Sequence, residues 1–120
     1  MRVDIWSDVV CPFCYIGKKR LEAAAEQAGL ALEVHWHSYE LDPEAPVRQE
    51  VSNSERLAQK YGRTVADVEE MQRNIATMAA EEGIQFNWEN ANSGNTFNAH
   101  RLIHLAQSKG LGSEAQEAFF

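Results

Sequence analysis

The segment Trp6-Ser7-Asp8-Val9-Val10-Cys11-Pro12-Phe13-Cys14-Tyr15-Ile16-Gly17-Lys18 decides the fold. Before it, Arg2 to Trp6 alternate polar and apolar side chains with Val3 and Ile5 on one face, the period of a short strand. After Cys11-Pro12 the chain to Ala28 is rich in strong helix formers, and Gly29 stands where a helix would stop. Residues 31 to 39 then carry aromatic and β-favouring side chains, until Asp42-Pro43 and Pro46 break any regular element. The two cysteines therefore fall between a strand and a helix, within a β-α-β unit.

Cys-Pro-Phe-Cys puts two thiols one helical turn apart at the start of that helix. Unpaired N–H groups and the helix dipole favour negative charge there, which predicts a depressed pKa for Cys11. Pro12 suits the first helical turn because its ring presets φ and its missing N–H has no partner there anyway. Cys14, deeper in the turn, is expected to be the less exposed thiol. It is suited to attacking a mixed disulfide formed at Cys11. A structural zinc site would need four ligands, and the chain has no second cysteine pair and no Cys-His arrangement at finger spacing. Two cysteines this close also cannot staple a secreted scaffold, so they are expected to be chemical rather than structural.

Composition narrows the class further. At 120 residues and 44% hydrophobic content the chain supports one modest core. A formal net charge of -7 argues against nucleic acid and anionic membranes as partners. No apolar run approaches the roughly 20 residues of a membrane span, and Met-Arg-Val-Asp-Ile is not a secretion signal, so the expected location is the cytoplasm.

Beyond residue 41 the signals are helical. Ser54 is a candidate cap for a helix to Tyr61 with Gly62 as its stop. Thr64 with Asp67 resembles a capping box, and Val65, Val68, Met71, Ile75 and Met78 recur at helical intervals up to Gly83. That stripe is expected to be core, with a peptide-binding groove as the alternative. Phe97, Leu102, Leu105 and Ala106 outline another helix ended by Gly110, and Ser113 with Gln116 opens one more. The expected fold class is α/β. Residues 1–41 are expected to hold the β-α-β unit and residues 42–120 to be wholly helical, the change at about residue 42 being the one candidate domain boundary.

The segment 6–18 resembles the active-site segment of the DsbA-like thioredoxin-fold family, in particular its FrnE-type branch. Trp36-His37-Ser38-Tyr39-Glu40-Leu41-Asp42-Pro43 is similar to that branch's second strand and exit, and Asn95-Thr96-Phe97-Asn98-Ala99-His100-Arg101-Leu102 to a segment of its helical region. The resemblance implies a thioredoxin fold, of which residues 1–41 are the first part and residues 42–120 a helical insertion, and disulfide exchange on protein or small thiol substrates. In it Cys11 is the nucleophile and Cys14 the resolving thiol. It implies no cofactor beyond the cysteine pair, with glutathione as a candidate co-substrate. A related branch acts as a glutathione-dependent isomerase on 2-hydroxychromene-2-carboxylate but commonly has Ser at the reactive position. A third reading is a non-catalytic thiol or metal-binding module.

The family completes its thioredoxin domain with a strand pair preceded by a cis-proline, whereas the prolines here are 12, 43 and 46. The second half of that domain is therefore expected to lie outside these residues, the chain being a fragment that could dimerise. Among the remaining residues, Asp8 is either a proton carrier for the thiols or a turn residue. His100 and His104 would share a helix face, but Arg101 stands where the metalloprotease pattern needs Glu, so no metal is assigned. His100 is a supporting candidate through the resemblance. His35 and His37 fall on one side of the second strand and receive no function.

Overall fold

The computed structural model describes every residue from Met1 to Phe120. Strands β1 (Arg2–Ser7) and β2 (Glu33–Ser38) pair in parallel, with Val3 opposite Val34 and Ile5 opposite Trp36. Helix α1 (Pro12–Ala28) is the crossover that a parallel pair requires. Gly29 ends it at φ 63°, a left-handed conformation that lets the Leu30 N–H donate back to the Ala25 carbonyl. The β-α-β unit expected from the alternation of polar and apolar residues is thus formed.

One face of this sheet carries Val3, Ile5, Ser7, Val34 and Trp36, and it buries Ser7 and Trp36. The other carries Asp4, Trp6, His35 and His37 and is open, with Trp6 62% exposed. His35 and His37 do share a strand face, and each ring finds a carboxylate, Glu33 or Asp4, at 2.8 Å. His37 also stacks on Trp6 with ring centroids 4.5 Å apart.

The rest of the chain is helical: α2 (Asn53–Tyr61), α3 (Val65–Glu81), a 3-10 turn at Trp88–Asn90, α4 (Phe97–Ser108) and α5 (Gly112–Phe119). The cap of α2 is Ser52, not Ser54. Only Ser52 has a glutamate three residues on, so Ser52 Oγ accepts from the Glu55 N–H while the Glu55 carboxylate accepts from the Ser52 N–H. Ser54 points inward and is buried. Thr64 and Asp67 form the same reciprocal box at α3, as their spacing predicts.

Helix α3 buries Val68, Gln72, Ile75 and Ala79, and Ile75 and Ala79 pack with Ile16 of α1 and with Ile84 as the apolar core. Met71 and Met78 flank this cluster, whereas Val65 is exposed.

Helix α4 forms where the sequence places it, but the large apolar residues that outline it do not make its buried face. Phe97, Leu102 and Leu105 are each more than half exposed, and the buried side chains are His100 and Ile103. A helix rotates to bury the residues that have partners inside, and His100 has one, described below. Helix α5 begins at Gly112 rather than Ser113, because the chain folds back onto the end of α4. A Cβ at residue 112 would stand 3.2 Å from the Gln107 side chain. From α5, Glu117 accepts from the Tyr15 hydroxyl at 2.6 Å and pairs with Lys18 and Lys19 of α1. Burial pushes the Glu117 carboxyl up, but these donors outweigh it and hold it at about 2. Phe120 stacks on Tyr15 at 4.8 Å, which covers one of the two terminal aromatics.

Candidate active site

Residues between Ser7 and Pro12 turn the chain from β1 into α1. The Cys11 N–H donates to the Asp8 carbonyl at 3.2 Å, and the Cys14 N–H donates to the Cys11 carbonyl at 3.1 Å. Cys11 occupies the cap position in extended conformation, with Pro12 first in the helix. Cys11 and Cys14 are free thiols, and both are half-buried, so the expected difference in overall exposure between them is not found. They differ in what they face. Cys11 lines a cleft of about 510 Å³ between the active-site turn and helices α2 and α3, and Cys14 does not. Met71 and Ile75 of the α3 stripe line the same cleft, with Leu57 and Phe86.

The thiols share their protons. Hydrogen bonding from Cys11 lowers Cys14 to about 6, against the opposing effect of burial. The same contact, with burial, pushes Cys11 up, while the N–H groups of Cys14 and Phe13 favour its thiolate. The helix terminus thus acts on Cys11 in the expected direction but is outweighed by the neighbouring sulfur. The pair loses its first proton easily and its second with difficulty. With both thiols at rest the pair carries one negative charge, shared between the two sulfurs through the proton they hold in common.

Asp8 is 1% exposed and spans the site. One carboxylate oxygen accepts from the Leu41 N–H at 2.8 Å, and the other lies 3.1 Å from His100 Nε2. A carboxylate this deep persists only with such partners. Asp8 and His100, separate candidates in the sequence, are therefore brought together directly beneath the cysteine turn. The charge of Asp8 raises the cost of a thiolate at Cys14. His104 goes elsewhere, its ring nitrogen 2.8 Å from Ser38 Oγ, and no three His, Cys, Asp or Glu side chains converge to hold a metal.

Sequence reasoning missed Ser7. Its buried hydroxyl has no hydrogen-bond partner of good geometry, yet it lies close enough to Cys14 to favour the thiolate there. The available signal was parity, since Ser7 follows Val3 and Ile5 on the inward face of β1. It also missed the basic side of the cleft, where Arg56 and Lys60 of α2 stand one turn apart.

Comparison with known proteins agrees with this fold. The probable DsbA oxidoreductase SCO1869 of Streptomyces coelicolor, known from a crystal structure, superposes with a TM-score of 0.88 at 36% identity, over 99% of this chain and 52% of that one. The uncharacterized protein YwbO of Bacillus subtilis (strain 168) is 27% identical over 121 residues, covering 100% of this chain and 54% of YwbO. The chain thus spans about half the length of the relatives it matches. The family model of the DSBA-like thioredoxin domain matches residues 2–120, and the chain belongs to that family.

Proposed function

We propose that the chain exchanges disulfides through Cys11 and Cys14, with Cys11 attacking substrate and Cys14 resolving the mixed disulfide. The observation that carries this reading is that Cys11 opens onto the cleft while Cys14 does not line it. In that arrangement the Cys14 thiolate is positioned to take the Cys11 proton as Cys11 attacks, and each sulfur then serves once as nucleophile. Asp8, held by His100 and Leu41, positions the turn. Pro12 stiffens the first turn of α1.

The substrates in this reading are disulfides of proteins or small thiols. Glutathione or a thioredoxin system in the cytoplasm returns the pair to its reduced state. The segments at residues 6–18, 36–43 and 95–102 support placement in the FrnE-type branch. Retention of Cys11 favours redox exchange over the glutathione-dependent isomerase, and the commitment of His100 to Asp8 argues against a metal-binding module. The open sheet face at Trp6 and the exposed leucines of α4 favour self-association.

Trapping tests the roles. The Cys14→Ser variant is expected to accumulate a mixed disulfide at Cys11 that intact-mass spectrometry detects, and the Cys11→Ser variant is expected to accumulate none. Equal adducts on both variants would overturn the assignment.

A further inference from the structure

The cleft in front of Cys11 has two unlike walls. Leu57, Met71, Ile75 and Phe86 make one wall apolar. Arg56, Lys60 and Arg63 also line it, in a chain whose formal net charge is -7. Against them the cleft presents Asp42, which is 3.6 Å from Arg56 and 3.9 Å from Lys60, and Asp8, which is already engaged by Leu41 and His100. Arg63 makes no ion pair within 4 Å, and the one carboxylate its charge is seen to act on, Asp67 of the α3 cap, is not part of the cleft lining. A cationic surplus remains even with both carboxylates counted. Arg56 is largely buried, its side chain 19% exposed, and its Nε donates to Ser93 Oγ at 3.2 Å, so this charge is fixed at the wall rather than free in solvent. Concentrating cations in a concave, partly apolar site on an acidic protein raises the local concentration of anions there.

From these features we infer that the cleft is a binding site for low-molecular-weight disulfides that carry a carboxylate on an apolar body. The inference rests on the exchange reading above and adds the substrate class. A volume of about 510 Å³ suits a small molecule of this kind. The carboxylate meets the Arg56–Lys60–Arg63 side, the apolar body lies along Met71 and Phe86, and the disulfide reaches Cys11. Cys11 then attacks one sulfur as its proton passes to Cys14. The S–S bond breaks as the Cys11–S–S–R bond forms, and the other half leaves as a thiolate with the electron pair. Cys14, after passing that proton to solvent, attacks the Cys11 sulfur and releases the second thiolate. The substrate gains two electrons, and the cysteine pair becomes a disulfide.

Two aromatic disulfides separate charge from reactivity: 5,5′-dithiobis(2-nitrobenzoate), with a carboxylate on each ring, and uncharged 4,4′-dithiodipyridine. The rate constants of the reduced protein with each probe give a ratio, which is divided by the same ratio for the free thiol N-acetylcysteinamide. The normalised ratio is expected to exceed one by about tenfold and to shrink as salt is added. It should fall about tenfold in Lys60→Gln/Arg63→Gln, which leaves the packed Arg56 in place, and further in Lys60→Glu/Arg63→Glu. Circular dichroism confirms that the variants are folded. A normalised ratio of one in the native protein, or a ratio that the two variants do not change, overturns the inference. If the neutral probe is still consumed with release of both leaving groups, the exchange reading stands without it. If neither probe reacts at Cys11, both fall together.

Discussion

The active-site turn and helix α4 meet at Asp8 and His100, but their shapes have different origins. In the turn, backbone hydrogen bonds spanning three residues, from Cys11 to Asp8 and from Cys14 to Cys11, fix the path, and Pro12 presets the first helical φ. The orientation of α4 is set by side chains from the far end of the chain: Asp8, 92 residues before His100, and Ser38, 66 residues before His104. Local contacts survive the loss of distant ones, whereas the reverse does not hold. Changes in the turn should therefore alter chemistry before stability, and changes at the α4 contact should alter stability first.

The largest effect is expected at Asp8. Replacing it by Ala removes the acceptor of a buried histidine and of the Leu41 N–H, and urea denaturation should register a loss of about 3–5 kcal/mol. A loss below about 1 kcal/mol would mean that water satisfies His100 and that the contact does not orient α4. The comparison within α4 is sharper. Ile103 is 3% exposed and Leu105 is 58% exposed, so Ile103→Ala should cost about 2–5 kcal/mol and Leu105→Ala less than about 0.5 kcal/mol. Equal losses at Ile103 and Leu105 would mean that α4 does not bury the face that carries His100 and Ile103. The smallest effect tests a local signal: Ser52→Ala should cost about 1 kcal/mol through loss of the α2 cap. Thermal melts that show no change would mean that the Glu55 side of the capping box suffices.

These contrasts match what the sequence allowed to be read. The β-α-β unit was legible because alternation, alanine content and a glycine stop are local properties, and so was the box at Thr64 and Asp67. Ser52 with Glu55 carried an equally local signal, which the nearer Ser54 obscured. The face of α4 was not legible, because burial of His100 depends on a carboxylate 92 residues away. At the site, Cys11 and Cys14 could be found from spacing alone. The balance of charge between them could not, since the S–H of Cys11, the Ser7 hydroxyl and the burial of both sulfurs act only once the strand and helix are packed. The cationic side of the cleft also required the fold, because α2 and the active-site turn approach each other only in space.

The most direct test is the pH dependence of alkylation in the reduced protein, with each cysteine read separately by peptide mass. Cys14 is depressed to about 6, so the pair should carry one negative charge above that pH and lose it as pH falls through it. The associated stabilisation of the reduced form grows as pH rises from about 6 toward the unperturbed thiol pKa of about 8.5 and disappears as pH falls through about 6; above about 8.5 it is eroded, because Cys11 is pushed up and stays protonated where the unfolded thiol ionises. Small neutral reagents should show a reactivity midpoint near 6, and disulfide reagents that enter the cleft should attach first to Cys11. A midpoint that stays near about 8.5, or a first adduct on Cys14 with cleft-sized disulfides, would contradict the account.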